Sequence, residues 1–296
     1  MAARERRTGA RGARDGRGAH RDGARLDRAV SDRPTESRNP RAAGLAAFTT
    51  REILELMNDE DATVPGAVRR AIPAIEKAVD AIVDALAHGG HVLYVGAGTS
   101  GRLGVLDASE APPTFGVEPD VFQGIIAGGG AALRYAVEGA EDEEWVGRRD
   151  VGQVIQRGDV IIGISASGRA PYVIGGLEAR EHVTSKTVAV TCNADSPLAR
   201  AADIAIIVDV GPEVIAGSSR LKAGTATKLV LNMLSTAAMI RSGRTRGDLM
   251  IDLRPTNSKL RDRAVRMVRD LTGLDENGAR ASLEANGWSV RAALET

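Results

Sequence analysis

The sequence predicts a doubly wound α/β protein built on a mainly parallel five-stranded sheet, with a small helical module at its C-terminus. Three observations predict it. Short apolar runs alternate with helix-like segments from Val92 to Val210, the pattern of strand–crossover–strand units. The chain is 43% hydrophobic but only 3% aromatic, so its interior is filled by Ala, Val, Leu and Ile, which suits helices laid on a buried sheet. Serine- and glycine-rich loops follow the ends of the strands, where open α/β sheets bind ligands.

Residues 1–34 carry ten arginines against five acids and almost no apolar side chains. Such a stretch cannot bury enough surface to offset its ordering entropy and is expected to be disordered. Its acids, among them Glu5, Asp15, Asp22 and Asp27, argue against an organellar transit peptide. The formal net charge of +0 hides this asymmetry. Beyond the tail, 29 basic residues face 34 acidic ones, a mildly acidic balance with no invitation to nucleic acid. A lone cysteine, Cys192, excludes an internal disulfide or a Cys-cluster metal site, and its run TVAVTC reads as buried strand. No apolar run approaches the roughly 20 residues of a membrane span and no signal-peptide core is present. A cytoplasmic protein is expected.

Residues 35–257 are expected to form the main domain. Thr49-Thr50 precede REILELMNDED, with Glu52 placed as a capping-box acid. A second amphipathic helix, about Val64 to His88, ends at Gly89-Gly90. The central stretch follows: VLYVGAGTSGRLGVLDASEAPP, residues 92–113. Val92–Val95 reads as a buried parallel strand. Gly96, Gly98 and Gly101 permit a tight turn and close approach to a ligand. Thr99 and Ser100 add hydroxyls where a helix opens its unpaired N–H groups, a site for a phosphate. The helix beyond is expected to stop at Pro112-Pro113.

Further strands are expected at 121–127, 159–165, 187–192 and 204–210, with helices at 131–149, from Pro171 to about His182, and at 196–202. The loop at 211–225 is too long for an ordinary turn and reads as functional. A helix is expected from about Ala226 to Arg241. Residues 258–296 read as a helical module too small to support a large core alone, expected to pack on the main domain or on a second subunit.

Three hydroxyl clusters thus lie just beyond strands: Thr99-Ser100, Ser165 with Ser167, and Ser218-Ser219. Converging hydroxyls and loop N–H groups suit a phosphate monoester without a metal. Gly96–Gly101 also fits the dinucleotide pattern G-x-G-x-x-G, but no acid closes the second strand at Ile125–Gly130 to hold a ribose, and the dinucleotide reading is rejected. For proton transfer the candidates are Asp107 and Glu110 before the double proline, and Glu138, Glu141, Asp142, Glu143 and Glu144 on the 131–149 helix. Glu110, between apolar residues and the prolines, is expected to be partly buried, which raises a carboxyl pKa. Glu138 and Glu141, three apart, are expected to share a helix face; spacing does not choose between them.

GAGTSGRLGVLDASEAPPTFG, SASGRAPYVIGGLE, TCNADSPLA, GPEVIAGSSRLKAGTATKLVLNMLSTAAMIRSG and GDLMIDL, with TESRN at the N-terminal edge, resemble the N-acetylmuramic acid 6-phosphate etherase family of sugar isomerase (SIS) domain proteins. The match runs from about Thr35 to the C-terminus; it departs in the Arg-rich tail and at AAGLAA before Phe48. The resemblance implies an SIS-type sheet. It also implies cleavage of the D-lactyl ether of the substrate to N-acetylglucosamine 6-phosphate and D-lactate, by elimination through the open-chain aldehyde and hydration. No metal or other cofactor is implied. It puts the proton donor at Glu110 and the second essential acid at Glu141, the 6-phosphate on Thr99, Ser100, Ser165 and Ser167, the sugar or lactyl side on Glu213, Ser218, Ser219, Arg220 and Lys222, and Gly98 among the substrate-binding residues. A straight helix carries Glu110 about 14 Å from the phosphate end, farther than the sugar spans to C3, so either the helix starts late or bends, or Glu110 serves a site completed by a neighbouring subunit. Since the SIS proteins it resembles are homodimers, a site shared between two subunits is expected. A non-catalytic SIS-type sugar-phosphate regulator and an aldose–ketose isomerase share the phosphate loops; neither needs two placed acids.

Overall fold

The computed structural model describes residues 34–182 and 185–295. Residues 1–33, and with them nearly all of the arginine-rich tail expected to be disordered, lie outside the described residues. Five strands, β1 (Val92–Gly96), β2 (Phe122–Ile126), β3 (Val160–Ile164), β4 (Lys186–Thr191) and β5 (Ile204–Ile207), form one sheet in the order β2-β1-β3-β4-β5. Every neighbouring pair is parallel, with Val95 opposite Ile125 on one side and Gly163 on the other. Alternate side chains along a strand face opposite layers, and the apolar run on both faces is what a doubly covered sheet requires. Tyr94, Ile162 and Val188, in register across three strands, pack into a core with α2 (Val64–Ala87), α3 (Gly98–Phe115) and α7 (Lys222–Arg241). Leu93, Val95 and Ile161 face the second core, made with α4 (Glu144–Gly152), α5 (Pro171–Glu178) and α6 (Pro197–Ala201).

Ahead of the sheet, α1 (Thr50–Asp61) opens on the expected capping box: Thr49 Oγ1 accepts from Glu52 N, and Glu52 Oε2 accepts from Thr49 N at 2.7 Å. After it come α8 (Ser258–Thr272), α9 (Glu276–Ala285) and α10 (Val290–Glu295), which surround their own buried cluster of Ile251, Leu253, Val265, Val268, Leu283 and Val290. Arg291 ties this end to the chain leading into it, donating twice to Asp252 at 2.7 Å and once to Gly243 O at 2.6 Å.

Three expectations are corrected. Helix α3 does not stop at Pro112-Pro113 but runs on to Phe115. Two prolines in a last turn remove only two amide donors, and the helix ends where Gly116 takes φ +66° and donates to Pro112 O. Residues 131–149 are not one helix. Gly139 at φ +73° breaks the stretch, and four consecutive acids from Glu141 repel one another in any helical turn. What forms is a pair of 3-10 turns, Gly129–Leu133 and Ala140–Asp142, before α4. Glu138 and Glu141 therefore flank a bend instead of sharing a helix face. Finally, α7 begins at Lys222, four residues before the expected start, because a carboxylate caps it there, as described below.

Candidate functional site

The strand order reverses between β1 and β3, and in open α/β sheets the ligand crevice lies beyond the carboxyl ends of the strands at that reversal. There the loops after β1, β3 and β5 close around a cavity of about 160 Å³. Its wall includes Gly98, Thr99 and Ser100 from the first loop, Ser165 and Ser167 from the second, Ser219 from the third, and Glu141. Seven of the residues expected at a sugar-phosphate site thus share one cavity.

Local chemistry explains why this cavity offers donors. Gly96 and Gly101 press together: a Cβ on Gly101 would stand 2.6 Å from Ile126 Cγ1 and 2.7 Å from Gly96 O. The helix can therefore start directly off the strand end. Its N-cap is Ala97, whose side chain has no oxygen to offer, so no side chain caps the first N–H groups of α3. In the second loop, Ser165 is buried and its Oγ accepts from Gly168 N at 3.1 Å, while Ser167 Oγ accepts from Arg169 N at 3.3 Å. The carbonyls of this loop are taken up on its other side. Ala166 O accepts from Cys192 N and Thr191 Oγ1, and Ser167 O accepts from Asn193 Nδ2 at 2.9 Å. Hydroxyls and amides are left for an anion, with the positive end of α3 behind them.

Four expected site residues do not line this cavity, and Arg220, an exposed side chain, is a fifth. Ser218 sits in a turn, its N–H on Ile215 O. Glu213 is buried, and its two carboxylate oxygens accept from Lys222 N and Ala223 N, each at 3.0 Å. Burial pushes its carboxyl above the ordinary range against the pull of those two amides. Lys222 is 3% exposed and donates through Nζ to Glu60 Oε2 at 2.6 Å. Both charged groups are thus spent on holding α7 in place. Glu110 is exposed, against the expectation of partial burial. The buried face of α3 carries Gly101, Gly104, Asp107, Ala108 and Ala111, and Glu110 lies outside that arc. Its neighbour Asp107 is the acid inside, accepting from Tyr94 Oη at 2.9 Å and Ser235 Oγ at 3.2 Å. Burial raises its carboxyl pKa.

Sequence reasoning missed Asn193, which stitches the Ser167 loop to Thr35 Oγ1, and the role of Thr35 itself, whose carbonyl accepts from Gly217 N. The polar TESRN cluster was the available signal: Thr35 and Asn39 are both buried, and Asn39 Nδ2 reaches Pro212 O. Cys192 is buried, its thiol pushed up to about 12 by that burial, so it offers no thiolate near neutral pH. No group of three or more His, Cys, Asp or Glu is placed to hold a metal among the described residues, nor is any helix among them long and apolar enough to cross a membrane.

Comparison with known proteins places the fold and the family. The family model of the glucokinase regulatory protein N-terminal SIS domain matches residues 74–181, and that of the SIS domain matches residues 134–237. Among solved structures, a phosphoheptose isomerase from Francisella tularensis superposes with TM-score 0.51 at 22% identity, over 65% of this chain and 100% of that one. A protein of E. coli CFT073, solved as a ligand complex, gives 0.50 at 16% identity, over 68% and 97%; at such identities the likeness is one of fold. The sequence relatives are far nearer. N-acetylmuramic acid 6-phosphate etherase 1 of Bacillus licheniformis is 49% identical over 88% of this chain and 86% of its own length. The N-acetylmuramic acid 6-phosphate etherase of Symbiobacterium thermophilum is 52% identical over 88% and 87%, and that of Jannaschia sp. 51% over 88% and 83%. With half its residues shared over almost the whole length of these proteins, the chain belongs to the N-acetylmuramic acid 6-phosphate etherase family.

Proposed function

We propose that this protein is a lyase that cleaves the D-lactyl ether of N-acetylmuramic acid 6-phosphate, giving N-acetylglucosamine 6-phosphate and D-lactate in the cytoplasmic recycling of cell-wall amino sugars. The observation that carries it is Glu141 on the wall of the hydroxyl cavity. A phosphate held by Thr99, Ser100, Ser165 and Ser167 places the sugar beside a carboxylate. In the open-chain aldehyde the C2 hydrogen is acidified by the carbonyl. Glu141 takes that proton, the C2–C3 double bond forms, and the C3–O bond breaks as Glu110 protonates the leaving lactate oxygen. Water then adds at C3, and a proton returns to C2. A regulator of SIS type needs the hydroxyls but not the two acids, and the relatives matched over most of their length are etherases, so that reading is not favoured.

Glu110 cannot serve the cavity of its own chain through a late helix start, since α3 begins at Gly98. At 1.5 Å per residue it stands about 15 Å along the axis from Ser100. Its exposure, with Leu106 one turn earlier 43% exposed, supports a homodimer in which Glu110 completes the partner's site. Mixing Glu110→Ala and Glu141→Ala subunits should then restore lactate release above either parent; no recovery would remove the shared site. The reaction itself is tested by incubation with N-acetylmuramic acid 6-phosphate in D2O, where D-lactate should appear with deuterium at C2 of the product. Tight binding without lactate would overturn the lyase reading.

A further inference from the structure

With Glu213 and Lys222 buried in the support of α7 and Arg220 exposed, the side expected to take the sugar or lactyl group keeps Ser219 on the cavity but none of its expected charged residues. A second cavity, of about 180 Å³, lies against the first. The two share Ala97, Gly98 and Glu141, so Glu141 stands on the boundary between them. The first wall is hydroxyl-rich. The second is small and aliphatic, formed by Ala127, Ala132, Ala136, Val137 and Ala140, and it carries one cation, Arg102. Val137 reaches this wall by folding back onto the end of β2: a Cβ on Gly128 would stand 3.0 Å from Val137 Cβ.

Arg102 sits in the first turns of α3, half-buried, and its one hydrogen bond among the described residues runs from Nη2 to Tyr135 O at 3.1 Å. No Asp or Glu lies within ion-pair distance of it among the described residues, although Glu138 and Glu141 line the same cavity. A guanidinium carries five donors in a fixed fork suited to a carboxylate. Most of that fork is open. Given water's share of about 30 Å³ per molecule in the liquid, the space holds about six water-sized groups.

We propose that this second cavity is the lactyl subsite, with Arg102 binding the lactyl carboxylate and the alanine wall receiving its methyl group. The inference rests on the etherase reading and adds the recognition of the group that leaves. The order of parts matches the substrate read end to end: phosphate on the hydroxyls, the reacting C2–C3 bond at Glu141, then a methyl and a carboxylate on one carbon. The carboxylate enters a cavity already holding two acids, so only Arg102 makes its binding favourable. The same pairing sets specificity, because a sugar phosphate lacking the lactyl ether brings no carboxylate to the open side of the Arg102 fork.

The test compares two ligands by calorimetric titration in a Glu141→Gln background, where turnover does not consume the ligand. One is N-acetylmuramic acid 6-phosphate; the other, N-acetylglucosamine 6-phosphate, differs only in lacking the lactyl group. A hydrogen bond between charged groups is worth about ten- to a hundredfold in affinity. Adding Arg102→Gln should weaken binding of the first ligand by that factor, leave the second within about twofold, and be partly rescued by Arg102→Lys. Equal weakening of both ligands would overturn the proposal and place Arg102 on the phosphate, on the N-acetyl group or in the support of the Tyr135 loop. No weakening of either would also overturn it. Failure of the unmodified protein to release D-lactate would instead strike the etherase reading, and the binding ratio would still report on Arg102.

Discussion

Two helices open at the carboxyl edge of the sheet, and they are finished in opposite ways. The first amides of α7 are taken by Glu213, a buried carboxylate of the same chain, and Lys222 beside them is neutralised by Glu60. The first amides of α3 have only Ala97 as N-cap, with no side-chain oxygen offered to them. A helix N-terminus is a ready anion site in either case. One has been filled from within to hold a long loop in place; the other is left open at a cavity rimmed with hydroxyls. The comparison teaches that the polar residues of a functional loop are not all for the ligand. A loop of a dozen or so residues must first satisfy its own backbone and anchor the helix after it.

The contrast can be broken most forcefully from the filled side. Lys222→Met should leave Glu60 buried without its main partner and cost about 3–5 kcal/mol of stability, read as a fall in Tm, while the KM of the protein that still folds changes little. A large KM effect at unchanged Tm would return Lys222 to the substrate. From the open side, Ala97→Asp supplies α3 with the internal cap it lacks. The helix gains about 1 kcal/mol from the new cap, but a carboxylate now competes with the phosphate. At 4 Å and an effective dielectric constant of about 20 the repulsion is of order 4 kcal/mol, so KM should rise by two to three orders of magnitude as Tm rises. Parallel loss of both would mean that the end of α3 is not the phosphate site. A smaller change sharpens the same point: Ser100→Ala removes one hydroxyl from the cavity and should raise KM by about two- to tenfold without moving Tm.

The smallest effect is one of pH. Burial alone would raise the Glu60 carboxyl, but the hydrogen bond and charge of Lys222, helped by Asn39 and Arg41, outweigh it and hold the group below its ordinary value of 4.5. A carboxyl lowered in the folded state contributes stability that is present above its unfolded value and is lost as pH falls through the folded one. Glu60→Gln should therefore be less stable at neutral pH, with a shallower loss of Tm from about pH 5 downward. An unchanged slope would mean that Glu60 and Lys222 do not form a working ion pair.

Much of the fold could be read locally. The period of the apolar residues marked the strands, and the capping box at Thr49 and Glu52 formed as expected. The hydroxyl clusters after β1 and β3 fell on one cavity because both loops leave the sheet at its point of reversal. The misreadings share a cause. Glu110 and Asp107 stand three residues apart in similar surroundings along the chain, yet helix phase buries one and exposes the other. Glu138 and Glu141 read as helical neighbours until Gly139 turns the backbone between them.

The sequence by itself determined the strand–loop–helix units, the glycines that let α3 start tightly off β1, and the supply of hydroxyls and acids at the strand ends. These follow from backbone sterics and side-chain period within a window of about twenty residues. Only the tertiary structure decided which of those polar groups line a cavity and which are buried against partners. Lys222 finds Glu60 at a separation of 162 residues, and Glu141 reaches the hydroxyl cavity by a bend that no period records. Burial and partnership depend on what the rest of the chain brings alongside, and a charge is committed to structure or left for chemistry by that company.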